Sequence, residues 1–273
     1  MAAPPSHLKL LDRDIYGFPS NRSICDVDGH VLNLLQLDDK LVSPFGEQSF
    51  RKVRDVAMRA DDVLLCGYPK TGCHWTWEIL RMMVTKNATT SKMGKTLTFL
   101  EIISMHLVEE VESPRVLNTH LWYNYLPAQV SCATGFDLHR FVAIQEITLT
   151  VDYGSYFDYY FDWDHVIKTN PDHPILLVSY EDMKEDLPRE IRKMASFLEL
   201  SFDDKLINDI AEAAGFEAMK QSYSQSNTFS SALLRKGQVG DWKNCLTVAQ
   251  SEAVDEKMNK LDGTRFTTQR YEL

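Results

Sequence analysis

The sequence contains no long apolar run. The longest runs, such as residues 175–178, are far too short to cross a bilayer, and residues 1–11 do not have the apolar centre of a secretory signal. A low-complexity tract and an internal repeat are missing as well. We therefore expect a cytoplasmic protein that has no membrane partner.

Paired cysteines and a basic surplus are also missing. The 5 cysteines are irregularly spaced and include no Cys-x-x-Cys pair, so we expect reduced thiols and no bound metal. Lysine and arginine number 29 against 39 acidic residues, which gives a formal net charge of −10. A nucleic-acid-binding protein normally has a basic surplus, so a nucleic-acid partner is not expected. Any anionic ligand must be held by a local basic pocket.

Short apolar segments alternate with amphipathic ones, which is typical of an α/β protein. Residues 63–66 form an apolar run between charged and turn residues, as in a buried parallel strand. Trp75, Ile79 and Met82 then follow at helical spacing. Further strands are predicted at residues 115–119 and 174–180, and further helices at residues 188–198 and 203–219. This order predicts a single α/β domain with a central parallel sheet flanked by helices.

The N-terminal region has a different character. Residues 1–60 carry proline, glycine and scattered charges, with few sustained periods. We expect an irregular stretch there with one or two short helices. We place an N-terminal arm at residues 1–43 and the domain at residues 44–273.

The turn Tyr68-Pro69-Lys70-Thr71-Gly72 lies between the first predicted strand and its helix. Unpaired N–H groups at a helix N-terminus and the helix dipole favour a bound phosphate or sulfate, and Lys70 adds a full positive charge. The lysine precedes the glycine and the GxxxxGK[ST] spacing is absent, so this is not a Walker A loop. Taken alone, so short a motif is more often an ordinary strand-to-helix turn with a solvated lysine.

Four segments together resemble one family. Residues 68–75, YPKTGCHW, resemble the YPKSGTTW loop of cytosolic sulfotransferases, and residues 115–121, RVLNTHL, are similar to the end of their (K)THLP strand. Residues 180–183 match their YEDM, and residues 235–242 match their RKGxxGDW. The motifs stand in the family's order, and the resemblance covers most of the chain from about residue 44. It implies an enzyme with a P-loop-like turn that transfers a sulfuryl group from the nucleotide PAPS to a hydroxyl or amine of a small-molecule acceptor.

The resemblance also implies how PAPS, as co-substrate, is bound without a metal. The phosphate that bears the sulfuryl group would be held by Lys70 and by the main chain of Thr71, Gly72, Cys73 and His74. Trp75 and Phe216 would enclose the adenine, and Tyr180 would touch the base. The 3′-phosphate would be held through charge-assisted hydrogen bonds by Arg235, Lys236 and Gly237.

His120 matches the family's catalytic base, which removes the acceptor's proton as its oxygen attacks sulfur. A histidine suits this step because its ordinary pKa lies near neutrality. Lys70 would stabilise the bridging oxygen of the leaving group, a charge-neutralising role like those in phosphoryl transfer. Taken alone, a single histidine at a strand end is usually structural, so this role follows from the resemblance.

The sequence departs from the family at several positions. The segment RNPKDxxVS, whose arginine and serine bind the 3′-phosphate in the family, is not found between residues 120 and 152, and we expect about one strand and one helix of the family to be missing. Residues 141–144 are strand-like and could fill the gap, with Arg140 replacing the lost arginine. Asn118 stands where the family has a lysine, Cys73 replaces a threonine, and residues 214–215 are Ala-Gly instead of Thr-Ser.

These departures leave two other hypotheses open. The chain could be a catalytically weak or inactive member that binds nucleotide or acceptor without turnover. A P-loop kinase fits poorly, because neither a Walker A loop nor a clear magnesium-binding partner is visible.

Two further segments bear on the acceptor and on assembly. An aromatic cluster in residues 153–163 either lines an apolar acceptor pocket or packs a helix into the core, and the second interpretation is at least as good. Residues 243–252 resemble the family's KxxxTVxxxE dimer motif. The resemblance implies a weak homodimer through Lys243, Thr247, Val248 and Glu252.

Overall fold

A computed structural model describes most of the chain in two four-stranded sheets and the helices around the second one. The described residues are 9–11, 21–25, 31–37, 40–42, 47–91, 94–131, 140–145, 153, 155–225, 237–239, 247–261 and 263–264.

The N-terminal arm contains an antiparallel sheet. Its strands are β1 (Lys9–Leu11), β2 (Asn21–Cys25), β3 (Val31–Leu37) and β4 (Lys40–Val42), paired in chain order. The prediction of an irregular stretch was therefore wrong where these four strands lie, whereas a short helix, as predicted within residues 1–60, is found at Glu47–Lys52. The apolar run of β3 and the turn-favouring pair Asp28-Gly29 that precedes it are strand and hairpin signals which the scattered charges concealed.

The second sheet is parallel and confirms the predicted fold class. Its strands are β5 (Val63–Gly67), β6 (Val116–Thr119), β7 (Arg140–Gln145) and β8 (Ile175–Ser179), in the order β6-β5-β7-β8. The strand-like residues 141–144 do fill a place in this sheet, because β7 pairs with β5 on one side and with β8 on the other.

Ten α-helices are described around these strands. They are α1 (Glu47–Lys52), α2 (Cys73–Thr85), α3 (Met105–Glu110), α4 (Ala128–Ser131), α5 (Tyr156–Thr169), α6 (Tyr180–Glu185), α7 (Leu187–Phe197), α8 (Asp204–Ala213), α9 (Phe216–Gln225) and α10 (Val248–Met258). Short 3₁₀ turns lie at Val53–Asp55, Gly94–Thr98, Tyr123–Tyr125 and Asn259–Leu261. No helix in the described part of the chain is long and apolar enough to cross a membrane.

Helix starts follow local capping rules. Ser155, Ser179, Asp186 and Asp203 each accept a hydrogen bond from a main-chain N–H in the first turn of α5, α6, α7 and α8 respectively. The helix predicted over residues 203–219 is interrupted: α8 ends before Ala214 and α9 begins at Phe216. The apolar period runs on across this break, which is why it was not visible in the sequence.

The core lies on both faces of the parallel sheet. Leu64 and Cys66 of β5 join the buried cluster that contains the aromatic side chains of α5, whereas Val63 and Leu65 join the cluster formed with α2, α7 and α8. The aromatic cluster of residues 153–163 thus packs into the core, and only Phe161 reaches 36 % exposure. This packing places β5, and the turn after it, at the centre of the domain.

Candidate active site

The turn after β5 has the conformation of an anion-binding loop. Lys70 and Gly72 both have positive φ, at 67° and 87°. Glycine adopts this conformation without steric cost, which allows Gly72 to precede the first residue of α2 directly. The Thr71 hydroxyl donates to the Tyr68 carbonyl at 2.6 Å and fixes the turn from inside. Since no side chain caps α2, its N-terminal end is open to an anion, and the exposed Lys70 stands next to it.

Trp75 of α2 and Tyr180 of α6, both predicted to contact the nucleotide base, lie together. The Trp75 indole Nε1 donates to the Ala214 carbonyl at 2.7 Å, and its ring meets that of Tyr180 edge-on at 5.3 Å between centroids. The Trp75 hydrogen bond ties α2 to the break between α8 and α9, where the half-buried Phe216 begins α9. The break that the sequence did not predict is thus part of the candidate site.

Gly237, predicted to lie at the 3′-phosphate, packs directly on Phe216. Its φ is 63°, and a β-carbon built on it would stand 2.3 Å from Phe216 Cδ2. The structure therefore brings Gly237 and the aromatic residues predicted to bind adenine into one region. Arg235 and Lys236 lie outside the described residues.

His120 lies at the end of β6, beside the end of β5. Its Nδ1 is 2.5 Å from the Gly67 carbonyl, and its main-chain N–H donates to Glu101 Oε1 at 2.5 Å. A carbonyl only accepts, so Nδ1 carries the proton and Nε2 carries the lone pair. Burial is the main cause that lowers the pKa of His120 well below its ordinary value, with Lys95 as the second cause and the Gly67 contact opposing them. A neutral imidazole with an unprotonated Nε2 can accept a proton.

Lys95 and Glu101 are two buried charged residues that the sequence analysis missed. Lys95 Nζ lies 3.4 Å from His120 Nε2 and 4.2 Å from the centre of the Phe99 ring. Burial lowers the pKa of Lys95, whereas Cys73 and Glu101 act to raise it. Burial also raises the pKa of Glu101 to about 7, although the hydrogen bond from the His120 N–H and the charge of Lys95 act to lower it. Neither residue belongs to a recognisable motif, so the sequence offered no signal for them.

His74 lies in the first turn of α2 with both ring nitrogens buried and without a hydrogen-bond partner. Burial lowers its pKa to about 3, with smaller effects from Lys95 and Lys70. The ring meets Tyr223 edge-on at 5.4 Å. In the unliganded protein His74 is therefore a neutral imidazole whose hydrogen-bonding capacity is not used.

The structure also bears on Asn118 and Arg140. Asn118 Nδ2 donates to the Lys95 carbonyl at 3.3 Å, so it anchors the segment that carries Lys95. Arg140 is the first residue of β7 and pairs with Val63, whereas Ile144 pairs with Gly67. Arg140 therefore enters the sheet at the amino end of its strand, whereas the phosphate loop, His120 and Tyr180 all follow the carboxyl ends of their strands, roughly 13 Å away along the strand direction. This register contradicts the idea that Arg140 replaces the lost arginine.

Comparison with known proteins agrees with these features. Residues 60–133 and 139–265 match the model of the sulfotransferase domain family. Sulfotransferase 6B1 of Danio rerio is 30% identical over 255 residues, which cover 80% of this chain and 84% of the relative, and human Sulfotransferase 1C2 is 28% identical over 287 residues, 86% of this chain and 95% of the relative.

Solved structures share the fold. Mouse sulfotransferase SULT7A1 complexed with PAP superposes with a TM-score of 0.67 at 23% identity, over 85% of this chain and 96% of that one. Retinol dehydratase in a complex with retinol and PAP gives 0.64 at 16% identity, over 91% and 92%. Together with the matched domain, these likenesses lead to one conclusion: the chain belongs to the sulfotransferase family.

Proposed function

We propose that this chain transfers a sulfuryl group from PAPS to a hydroxyl or amine of a small-molecule acceptor. The observation that carries the proposal is the position of His120. Its unprotonated Nε2 lies at the end of β6, next to the strand end from which the phosphate loop starts, because Nδ1 is bound to the Gly67 carbonyl. A candidate base and an anion-binding turn thus lie side by side at the carboxyl ends of β5 and β6.

The residues of the donor site fit PAPS in chemical type. The open N-terminus of α2 and Lys70 suit the sulfuryl-bearing phosphate, and the unused ring nitrogens of His74 are available for further polar contacts. Trp75, Tyr180 and Phe216 offer aromatic surfaces for a purine. The close packing of Gly237 on Phe216 leaves no room there for a side chain. Cys73 and Thr71 shape the turn from inside, since the Cys73 thiol and the Thr71 hydroxyl both point to the Tyr68 carbonyl.

The proposed reaction is a direct displacement at sulfur. The acceptor oxygen forms a bond to sulfur while the bond between sulfur and the bridging phosphate oxygen breaks. His120 Nε2 receives the acceptor's proton, and Lys70 stabilises the negative charge that develops on the leaving oxygen. Relatives named for PAP complexes support PAP as the product of the donor.

A second hypothesis is that the chain binds nucleotide without turnover. It is favoured by one observation, the contact of Lys95 Nζ with the atom of His120 that would serve as the base. The missing RNPKDxxVS segment points in the same direction, because its arginine would have neutralised part of the charge of the 3′-phosphate and its serine would have donated a hydrogen bond to it. The kinase hypothesis has no such support and falls with the family assignment.

We also propose a weak homodimer and a cytoplasmic location. Thr247, Val248 and Glu252 are exposed at the start of α10, and Val248 is 75% exposed, which is unusual for a valine. Such a surface suits a small two-fold contact. Lys243, the remaining residue of the motif, lies outside the described part of the chain.

The test combines turnover with nucleotide binding. Wild-type protein, the His120→Ala variant and the His165→Ala variant are compared with PAPS and a set of simple phenols, alcohols and amines; His165 is an exposed histidine of α5 and serves as the control. Loss of a general base lowers turnover by about 10²- to 10⁴-fold. We expect this loss only for His120→Ala, with PAP affinity unchanged in calorimetry. An active His120→Ala variant would remove His120 from the mechanism.

A further inference from the structure

Lys95 makes an unusual contact with the proposed base. Its Nζ lies 3.4 Å from His120 Nε2, and both side chains are buried, with the residues 8% and 7% exposed. The Phe99 ring lies against both, 4.2 Å from Lys95 Nζ and edge-on to the His120 ring at 4.9 Å. A lysine is almost never fully buried without a functional or structural reason.

The main chain of Lys95 is fixed to the strand that carries His120. Its carbonyl accepts hydrogen bonds from Asn118 Nδ2 and from the Thr98 hydroxyl, both at 3.3 Å. Thr98 is in turn held by the Trp77 indole at 2.9 Å. These hydrogen bonds hold the 3₁₀ turn Gly94–Thr98 in the position that brings the Lys95 side chain to His120.

The imidazole of His120 is held at both nitrogens. Nδ1 donates to the Gly67 carbonyl, and Nε2 faces the amine of Lys95. A ring with one protein partner can exchange its tautomers or rotate, whereas two opposed partners select one tautomer and one orientation. The selected form has its lone pair on Nε2.

We propose that Lys95 is a positioning residue for sulfuryl transfer: it holds His120 with Nε2 unprotonated and supplies a positive charge beside that nitrogen, at a place where the neighbouring strand residue is the neutral Asn118. This rests on the proposed role of His120 as the base. When the acceptor binds, its hydroxyl takes the place of the Lys95 amine at His120 Nε2. Lys95 then moves towards the negative charge that develops during sulfuryl transfer. A lysine with this role need not contribute to folding.

Several groups face the Lys95–His120 pair. Glu101 accepts a hydrogen bond from the main-chain N–H of His120, and the Tyr153 ring meets the imidazole at 5.5 Å between centroids. Cys73 and Glu101 act to raise the pKa of Lys95, which burial lowers. Burial is the main cause that lowers the pKa of both His120 and His74, and the positive charge of Lys95 is the second. Removing it must therefore raise the pKa of His120, and replacing it with another cation must not.

The experiment reads His120 directly and needs no acceptor. Full-length protein with nitrogen-labelled histidine is titrated by NMR, and the His120 ring signals are assigned by their loss in a His120→Asn variant. The variants are Lys95→Met, which keeps the length without the charge, and Lys95→Arg, which keeps the charge. Lys205→Met removes an exposed charge on α8 as the control.

We expect wild type, Lys95→Arg and Lys205→Met to keep the tautomer with the proton on Nδ1 and to resist protonation. In Lys95→Met the pKa of His120 should rise, since a like charge at short range is removed. The acid limb of the profile of turnover against pH should shift to higher pH with it. Unchanged ring signals and titration in Lys95→Met would overturn the proposal.

The stability of the variants separates positioning from structure. A buried ammonium opposes folding, so Lys95→Met should melt at or above the wild-type temperature. A Lys95→Met protein that fails to fold would overturn the proposal, because the lysine would then be structural. The His120→Ala turnover test is independent: if that variant stays active, the proposed base fails, while the NMR result on the Lys95–His120 pair stands or falls separately.

Discussion

A β-carbon on Gly237 would stand 2.3 Å from Cδ2 of Phe216, so the main chain of Gly237 lies against the ring proposed to bind adenine. In Gly237→Ala the ring must shift, and the positive φ of 63° adds strain of about 1–2 kcal/mol. We expect PAP affinity to fall by about tenfold, which corresponds to roughly 1.4 kcal/mol. Isothermal calorimetry measures this directly.

Gly263→Ala is the matched control for that prediction. Gly263 also has a positive φ, 83°, but nothing lies within 4 Å of a β-carbon placed on it. Its alanine variant should show similar backbone strain and unchanged PAP affinity. Equal PAP affinities of the two variants would show that Gly237 does not belong to the nucleotide site.

Asp62 and Arg115 form a fully buried ion pair at the start of the parallel sheet. Arg115 Nε and Nη2 donate to the two carboxylate oxygens at 2.8 and 2.5 Å, and its other contacts are the carbonyls of Val108 and Ala57. Asp62→Ala leaves a buried guanidinium without its counter-charge, so the free energy of unfolding should fall by about 3–5 kcal/mol. Urea denaturation measures the change.

An exposed pair provides the comparison for Asp62→Ala. Arg192 and Asp204 are also joined at 2.8 Å, but their side chains are 49% and 80% exposed. Asp204→Ala should lower the free energy of unfolding by no more than about 1 kcal/mol. If both variants lose the same stability, the Arg115 pair is not a structural anchor.

Glu101 should give the protein a measurable pH dependence of stability. Its pKa is raised from an ordinary 4.5 to about 7, chiefly by burial, so the folded state retains a proton that the unfolded state has already lost. Its contribution to stability is full below the unfolded pKa and is lost as the pH rises through the folded one. Glu101→Gln keeps an acceptor for the His120 N–H and removes the titration.

The difference in unfolding free energy between Glu101→Gln and wild type, measured by urea denaturation across pH, isolates this effect. We expect the free energy of unfolding of Glu101→Gln to increase relative to that of wild type as the pH rises from about 4.5 to about 7. Glu212→Gln, at an exposed position on α8, is the control. A difference that does not vary with pH would contradict the assignment.

How far the sequence predicted this protein depends on the range of the interaction. The strand β5 and its turn were predictable because an apolar run and the residues Pro69 and Gly72 are local signals. The contact of Lys95 with His120 was not, because it joins positions 25 residues apart through the packing of a 3₁₀ turn on β6. The order of the sheet, with β7 between β5 and β8, is also non-local.

The proposed dimer makes Val248 a sensitive position. This side chain is 75% exposed at the start of α10, and a two-fold contact there would be small, at or below roughly 1,200 Å². Val248→Glu would place two like charges near the symmetry axis and should yield monomers. Light scattering at micromolar concentration measures the mass. Val239→Glu, at another valine that is 45% exposed, should leave the dimer intact.

A monomeric wild type, or a Val248→Glu variant that still dimerises, would rule out this segment as the interface. The outcome does not bear on catalysis, since the described contacts of His120 are with Gly67, Lys95, Phe99, Glu101 and Tyr153, none of which belongs to α10.

The proposed function is tested most directly by the transfer of radiolabelled sulfur from PAPS to an added phenol, alcohol or amine. We predict that the wild-type protein forms a labelled ester or sulfamate together with one equivalent of PAP, and that His120→Ala forms them about 10²- to 10⁴-fold more slowly while binding PAP as wild type does. Saturating PAP binding by the wild type without any transfer to the whole acceptor set would contradict the proposal and favour a family member that binds the nucleotide without turnover.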